Sequence, residues 1–335
     1  MKTKQAVSPS QASANRKTRS YAAKAKAKKW AISIARGLLL FGLCFMIIQP
    51  MLTRLSTSLM EERDLYDSTI VLLPRNVTLD NFRIVFDLTT FPTSMLNTVW
   101  TALLVSVLQV ISTTLVGYGF ARYDFPLKKF WFACVVALIV IPPQTISTSL
   151  YTYFAQFDFL GIVKLFNGGQ PINLRGSVLP YALMSATCMG LKNGLYIYML
   201  RQYFRGIPKS LEEAAYVDGC NTFHTFVRIM LPDAVPTILS CFLFSFVWQW
   251  TDLFYTRNFL ATSSRPIFST ELSTIVSRMS RYFSADASKP IIVPVGRQQQ
   301  LISIGVLICC IPLIILYCFT QKTFVQSIAM SGSKE

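Results

Sequence analysis

"SLEEAAYVDGCNTFHTFVRIMLPDAVP", Ser210 to Pro236, is a polar, glycine-broken segment between two strongly apolar stretches. Pro208 suits the first turn of a helix, where its missing N–H leaves no bond unmade. Glu212 and Glu213 fall near that helix N-terminus, where negative charge offsets the dipole. Leu211, Ala214 and Ala215 recur at i, i+3 and i+4, a narrow face of small side chains that allows close approach by another surface. Gly219 is placed to end the helix in a left-handed cap. Asn221 or Thr222 can cap a second helix, whose Phe223, Phe226, Val227 and Met230 mark one apolar face before Pro232 stops it. The expectation is a helix–turn–helix lying along a membrane surface as a docking element. The chain's one histidine, His224, belongs to its polar face.

The membrane follows from composition. The chain has 335 residues, 52% of them hydrophobic and only 14% charged, with a mean hydropathy of +0.44. A soluble domain of this length carries about 25% charged residues. Six apolar stretches, near 31–52, 95–120, 130–153, 178–203, 234–256 and 300–320, reach the roughly 20 residues needed to cross a bilayer as helices. Backbone groups in lipid pair internally, so helices are the spans to expect. The predicted fold is an all-α polytopic membrane protein with six transmembrane helices. Residues 1–30 carry nine Lys and Arg and no acid. Arg122, Lys128, Lys129, Arg201, Arg205, Lys209 and Arg228 add to the same side, so both termini and the quoted segment are expected in the cytoplasm. The net charge of +16 reads as a basic, solvated tail near anionic lipid rather than as a nucleic-acid surface. The expected organisation is a tail over 1–30, a membrane domain over 31–320 that includes the cytoplasmic loop 205–233, and a cytoplasmic tail over 321–335.

Chemistry is sparse. There is no GxxxxGK[ST] loop, no HExxH and no GxSxG, so neither nucleotide binding nor hydrolysis is expected of this chain. One histidine excludes a multi-histidine metal site. The eight cysteines have no CxxC spacing and read as small apolar packing residues. No catalytic residue, cofactor or metal is predicted, and any energy source has to come from a partner or a gradient.

Glu213-Ala214-Ala215, three residues, Gly219, nine residues, Ile229, one residue and Leu231-Pro232 form a pattern that resembles the "EAA" signature of ABC importer permeases. The resemblance extends through "YGFARYDFPLKKFWF" (118–132), "IPPQTISTSLY" (141–151) and "YMLRQYFRGIPKSLEEAAYVDG" (198–219). It favours the carbohydrate importers of the maltose type, and the ending "QKTFVQSIAMSGSKE" (321–335) resembles the tail of their smaller, six-span permease. Ser327, Ser331 and Glu335 stand where that tail usually has glycine. The resemblance implies a type I importer architecture. It also implies that Glu212, Glu213, Ala214, Ala215, Gly219, Ile229, Leu231 and Pro232 couple to an ATPase, and that Gln321 and Phe324 of the tail reach it. The implied partners are a second homologous permease, two ATPase subunits that bind ATP and Mg, and an extracytoplasmic solute-binding protein.

Polar residues inside the spans are candidates for the substrate path. Lys192-Asn193-Gly194 interrupts the fourth span, and Trp248, Gln249, Trp250 and Asp252 lie in the outer part of the fifth. At 1.5 Å per residue, Lys192 lies about 20 Å from the inner end of its span and Asp252 about 30 Å, so a direct pair is disfavoured. Aromatic faces suit sugar rings and amides or carboxylates suit hydroxyls, although an interfacial aromatic belt explains the tryptophans equally well. Asn97-Thr98 reads as structural, and Pro142-Pro143 is expected to kink the third span. Importers of polyamine or phosphate also carry EAA loops, and a gradient-driven carrier is the alternative from another class.

Overall fold

The computed structural model describes the backbone of residues 9–70, 73–260, 263–284 and 291–332, with side chains for those between 26 and 322. In chain order the helices are α1 (Pro9–Leu59), α2 (Asp80–Leu88), α3 (Phe91–Arg122), α4 (Lys128–Val140), α5 (Ser147–Ala155), α6 (Ile162–Phe166) and α7 (Leu179–Ala186). They continue as α8 (Asn193–Gly206), α9 (Lys209–Val217), α10 (Thr222–Thr225), α11 (Leu231–Thr251), α12 (Phe254–Leu260), α13 (Phe268–Tyr282) and α14 (Val295–Gly332). Among the described residues there are isolated β-bridges but no strand.

The chain divides into two units, 1–78 and 79–335. In the first, α1 begins at Pro9, inside the segment expected to be a solvated tail. Alanine and lysine are both strong helix formers, so the Ala/Lys run continues the helix out of the apolar stretch. From Trp30 to Leu55 its large apolar side chains are exposed, as suits a helix surrounded by lipid or membrane partners. Beyond it, Met60 bridges Val77. Asp64 accepts from the Arg75 and Asn76 N–H groups at 2.9 and 2.8 Å, which closes this loop.

The second unit is built around α3, which packs on α7, α8, α11 and α13. Its exposed face is apolar: Leu96, Trp100, Leu103, Val107, Ile111 and Leu115. Its buried face carries Ser94, Thr98, Thr101, Gln109, Ser112 and Thr113. Small and polar residues inward with aliphatic residues outward is the arrangement a membrane bundle requires, because lipid offers no gain from burying leucine. Glycines set the closest approaches. A Cβ on Gly117 would lie 2.9 Å from Leu200 Cβ, and one on Gly194 would lie 2.7 Å from the Val135 carbonyl. Thus α8 is clasped between α3 and α4.

The all-α membrane class holds, and the count of six spans is not confirmed by the structure. Among the described residues, four helices are long and apolar enough to cross a membrane, Lys26–Leu59, Phe91–Arg122, Thr222–Thr251 and Val295–Lys322, and a bent pair counted as one span makes five. The predicted third span is α4 and α5, bent by 99°. Two prolines remove two donors, and the first forces Ile141 out of the helix to φ −71°, ψ 121°. The expected kink is therefore a break. The predicted fourth span is also broken, between α7 and α8, with Cys188 at φ 58° and Lys192 at φ 62°.

Near the start of α3, Asn97 Nδ2 donates to the Pro266 carbonyl at 3.1 Å and the Phe268 N–H donates to Thr98 Oγ1 at 2.9 Å. Glu271 is buried and accepts from both Arg278 terminal nitrogens at 2.6 Å and from the Thr90 N–H at 3.2 Å. Burial pushes the Glu271 carboxyl upward, and the Arg278 and Thr90 donors more than reverse it, leaving the pKa below the ordinary glutamate value.

Two predictions follow from these contacts. Gly194→Ala forces a methyl onto a backbone carbonyl and lowers stability by about 1–3 kcal/mol, whereas Gly119→Ala, with open space around it, is silent in the same thermal melts. Because the folded-state pKa of Glu271 is depressed, its contribution is complete above the unfolded value of about 4.3 and is lost as pH falls through the lower folded value. Melting temperatures measured from pH 7 to pH 3 should fall at the acid end, and less so in Glu271→Gln.

Candidate functional site

The polar segment of 205–233 folds as a helical hairpin. Its first helix, α9, leaves Pro208 at φ −58°, ψ 135°. It ends with the Gly219 N–H on the Tyr216 carbonyl at 3.1 Å and the Cys220 N–H on the Ala215 carbonyl at 2.9 Å. With Gly219 at φ 82°, this is a Schellman closure that satisfies the last carbonyls of α9. Asn221 caps the next helix through the His224 N–H at 2.8 Å. Pro232 does not stop that helix. A π-turn over Phe226–Met230 leads into α11, and Thr222–Thr251 runs as one helix. Proline near the start of α11 is tolerated because the widened turn takes up its missing donor and its ring.

The two glutamates separate. Glu212 is buried with Ala215 one turn on, while Glu213 and Ala214 are exposed. Tyr118 Oη donates to Glu212 Oε1 at 3.1 Å. Arg122 Nε lies 3.3 Å from the same oxygen, and both side chains are buried. That contact is an ion pair without hydrogen-bond alignment. A second Arg122 nitrogen, Nη2, donates to the Ile207 carbonyl at 2.8 Å. Glu212 thus holds α9 to the end of α3 and is not free to meet another protein. The expected face of Leu211, Ala214 and Ala215 is divided in the same way, with Ala215 inward. Phe226 and Met230 are likewise in the core with Tyr118 and Phe204. Ile229 and Leu231 are half-buried and Pro232 is exposed. What faces outward is an apolar crest: Leu211, Tyr216, Val217 at 87% and Phe223 at 71% exposure. The Gln321 side chain is exposed and donates to the Cys318 carbonyl at 3.3 Å. The Phe324 side chain and those of Ser327, Ser331 and Glu335 lie outside the described residues.

The two broken spans meet at a cavity of about 520 Å³. Pro142, Pro143 and Gln144 line it from one break, Cys188 to Gly194 from the other, and Trp248, Thr251 and Asp252 from the end of α11. Lys192 and Asp252 therefore share a cavity despite their unequal depth along the sequence, yet no ion pair joins them among the described residues. Lys192 Nζ lies 5.0 Å from the centre of the Trp248 ring. Asp252 is buried; it accepts from Tyr181 Oη at 2.9 Å and from the Thr256 N–H at 3.0 Å, and so caps α12. Gln249 and Trp250 do not line the cavity. Successive helical residues turn by about 100°, which sends Gln249 toward Tyr181 and buries Trp250 against α14, its Nε1 donating to the Cys309 carbonyl at 3.2 Å.

Gln109, Tyr118, Arg122 and Tyr181 join the candidate residues through their contacts and are not singled out by the sequence. Gln109 Nε2 donates to the Leu191 carbonyl at 2.5 Å and to Asn193 Oδ1, while Ser245 Oγ donates to Gln109 Oε1. The available signal was an amide in the middle of an apolar span, and an arginine that reads as an ordinary positive loop residue.

Glu212→Met strands a buried guanidinium and should cost about 3–5 kcal/mol, whereas the double change with Arg122→Met recovers most of it. Thermal unfolding of the purified protein checks this; no recovery in the double variant contradicts the clasp.

The family model described as "Binding-protein-dependent transport system inner membrane component" matches residues 113–329. The arabinooligosaccharides transport system permease protein AraQ of Halalkalibacterium halodurans is 25% identical, over 87% of this chain and 93% of its own. The maltodextrin transport system permease protein MdxG of Bacillus subtilis is 25% identical, over 77% of this chain and 81% of its own. Among solved structures, a bacterial ABC transporter that imports the acidic polysaccharide alginate superposes with a TM-score of 0.62 at 17% identity, covering 88% of this chain and 96% of that one. At that identity the likeness is one of fold.

Proposed function

The chain belongs to the family of binding-protein-dependent transport system inner membrane components, and from that premise we propose that it is the permease subunit of an ATP-driven importer of saccharides. The observation that carries the reading is the exposed crest of Leu211, Tyr216, Val217 and Phe223 on a hairpin clamped by Glu212 to α3. An apolar surface of this kind on a rigid element suits docking to another protein. Glu213 and Ala214 lie on the outward side of α9 with it, and Gly219 closes the helix behind them.

In this reading the ATPase partner, present in two copies and holding ATP and Mg, moves the hairpin as it closes and opens. The clamp passes that movement to α3, and from α3 to α8 at the cavity. A second permease completes the path, and an extracytoplasmic binding protein delivers the solute to the outer loops. Excess Lys and Arg on the loops that share the hairpin's side supports a cell-membrane protein with both termini in the cytoplasm. Half-helix ends and unwound backbone near the middle of a bilayer are where transporters hold their solutes, which supports Lys192, Asn193, Trp248 and Asp252 as path residues. The saccharide class is supported by relatives whose names specify arabinooligosaccharides and maltodextrin.

Glu213→Lys and Gly219→Pro should leave insertion intact while reducing co-purification of the ATPase. The proline cannot adopt φ 82° and removes the N–H that closes α9. Undiminished co-purification with normal transport contradicts the docking assignment. Uptake of labelled oligosaccharides by cells with and without the chain tests the substrate class. No difference for any saccharide would point to another solute, and uptake that survives loss of the ATPase would point to a gradient-driven carrier.

A further inference from the structure

We propose that the N-terminal end of the apolar stretch on α1 binds the headgroup of an anionic phospholipid, with Arg36 gripping the phosphate. The site lies wholly within the first unit and stands apart from the importer reading.

Arg36 is the one charged residue in the apolar stretch near 31–52. Its side chain is exposed. The first acid of the chain is Glu61, so no carboxylate on α1 neutralises it. A cation on the exposed side of a span has to reach the interface or find an anion. At 1.5 Å per residue, Arg36 lies about 9 Å beyond Trp30. Trp30 is 64% exposed and marks the headgroup level, where tryptophan is enriched. Helical side chains tilt toward the N-terminus of their own helix. On α1 that end carries the basic run, so the stem of Arg36 leaves the helix in the direction of the interface. It can therefore snorkel, its methylenes in the acyl region and its guanidinium among headgroups.

The surroundings of Arg36 form one surface. Successive residues turn by about 100°, which puts Lys26, Lys29, Trp30, Ser33, Arg36 and Gly37 on a face about 120° wide. All six are exposed. The small side chain of Ser33 lies between the lysines and Arg36. A Cβ added to Gly37 would meet nothing within 4 Å. There is room beside Arg36 for a phosphate and the glycerol it carries.

A phosphodiester suits this face better than a protein carboxylate does. Lys26, Lys29 and Arg36 spread charge over about 15 Å of helix, as the headgroups of a leaflet do, whereas one acidic side chain would meet one of them. The planar fork of arginine matches two phosphate oxygens at once. The two lysines add longer-range attraction to a negative leaflet surface. A zwitterionic headgroup also carries a phosphate, but its own cation is repelled by these three. The face therefore selects lipids of net negative charge.

The test is native mass spectrometry of the purified full-length protein with its co-purifying partners. It is titrated with phosphatidylglycerol or with phosphatidylcholine of the same acyl chains. Phosphatidylglycerol should bind in preference. Arg36→Leu should weaken that binding about 5-fold, the effect of one cation near a charged surface, and leave phosphatidylcholine binding unchanged. Arg36→Lys should retain most of the preference. Lys26→Gln combined with Lys29→Gln should weaken phosphatidylglycerol binding at least as much as Arg36→Leu. Both lysines precede the apolar stretch and are exposed, so if Arg36→Leu fails to accumulate the double lysine variant decides the question. Equal binding of the two lipids by the wild-type protein, or undiminished preference in a variant that accumulates, overturns the proposal. Loss of the second permease from Arg36→Leu with the lipid preference unchanged assigns Arg36 to a partner's carboxylate and also overturns it. None of these outcomes bears on saccharide uptake, so the importer reading stands or falls separately.

Discussion

A backbone that leaves the helix inside a bilayer has to find partners for the groups it frees, and Gln109 is where this chain finds them. Its amide donates to the Leu191 carbonyl and to Asn193, and it accepts from Ser245. That one side chain, on α3, holds the unwound segment between α7 and α8 to both α3 and α11. Without such a partner, each orphaned group would cost several kcal/mol in hydrocarbon. With it, the span can be broken, and the break can form the wall of a cavity. The second break, at Pro142-Pro143, needs less support because proline brings no N–H of its own.

The same helix connects the cavity to the surface hairpin. Gln109 and Arg122 are 13 residues apart on α3, about 20 Å along its axis. One end grips the break and the other grips Glu212. Between them, Gly117 lets α8 approach so closely that a methyl group would not fit. Packed elements of this kind move as bodies rather than deform, since close-packed interiors are not continuously compliant. In the proposed coupling, a displacement of α9 would carry α3 and α8 with it, and so the cavity. Coupling in this account is mechanical contact through two buried polar clusters, not a diffuse influence.

How much of this was legible in the residues differs by element. The hairpin was readable because its signals are local: Gly219 for the left-handed cap, Asn221 for the N-cap and the i, i+3, i+4 pattern of the second helix. Pro232 misled because a stop signal presumes the helix has no other way to accommodate proline, and the π-turn over Phe226–Met230 provides one. The membrane class was plain in the apolar stretches. The span count was not, because hydropathy measures length and composition and is blind to where the backbone turns inside an apolar run. Glu212 and Glu213 are adjacent and chemically alike, and only the position of Arg122, distant in sequence, sends one inward. Gln249 and Trp250 were grouped with Trp248 by proximity in sequence, whereas the helical turn sends each to a different neighbour. The depth estimate disfavours a direct Lys192–Asp252 pair, and none joins them among the described residues, but its straight helices do not show that the broken fourth span brings both to one cavity.

The central claim is that this chain turns ATP hydrolysis by a partner into passage of a saccharide across the membrane. The most direct measurement is ATP hydrolysis and saccharide accumulation in proteoliposomes that contain the full complex, with and without saccharide-loaded binding protein. The account predicts that loaded binding protein stimulates hydrolysis and that saccharide accumulates only while ATP is consumed. Accumulation without ATP, or hydrolysis indifferent to the loaded binding protein across a panel of saccharides, would contradict it.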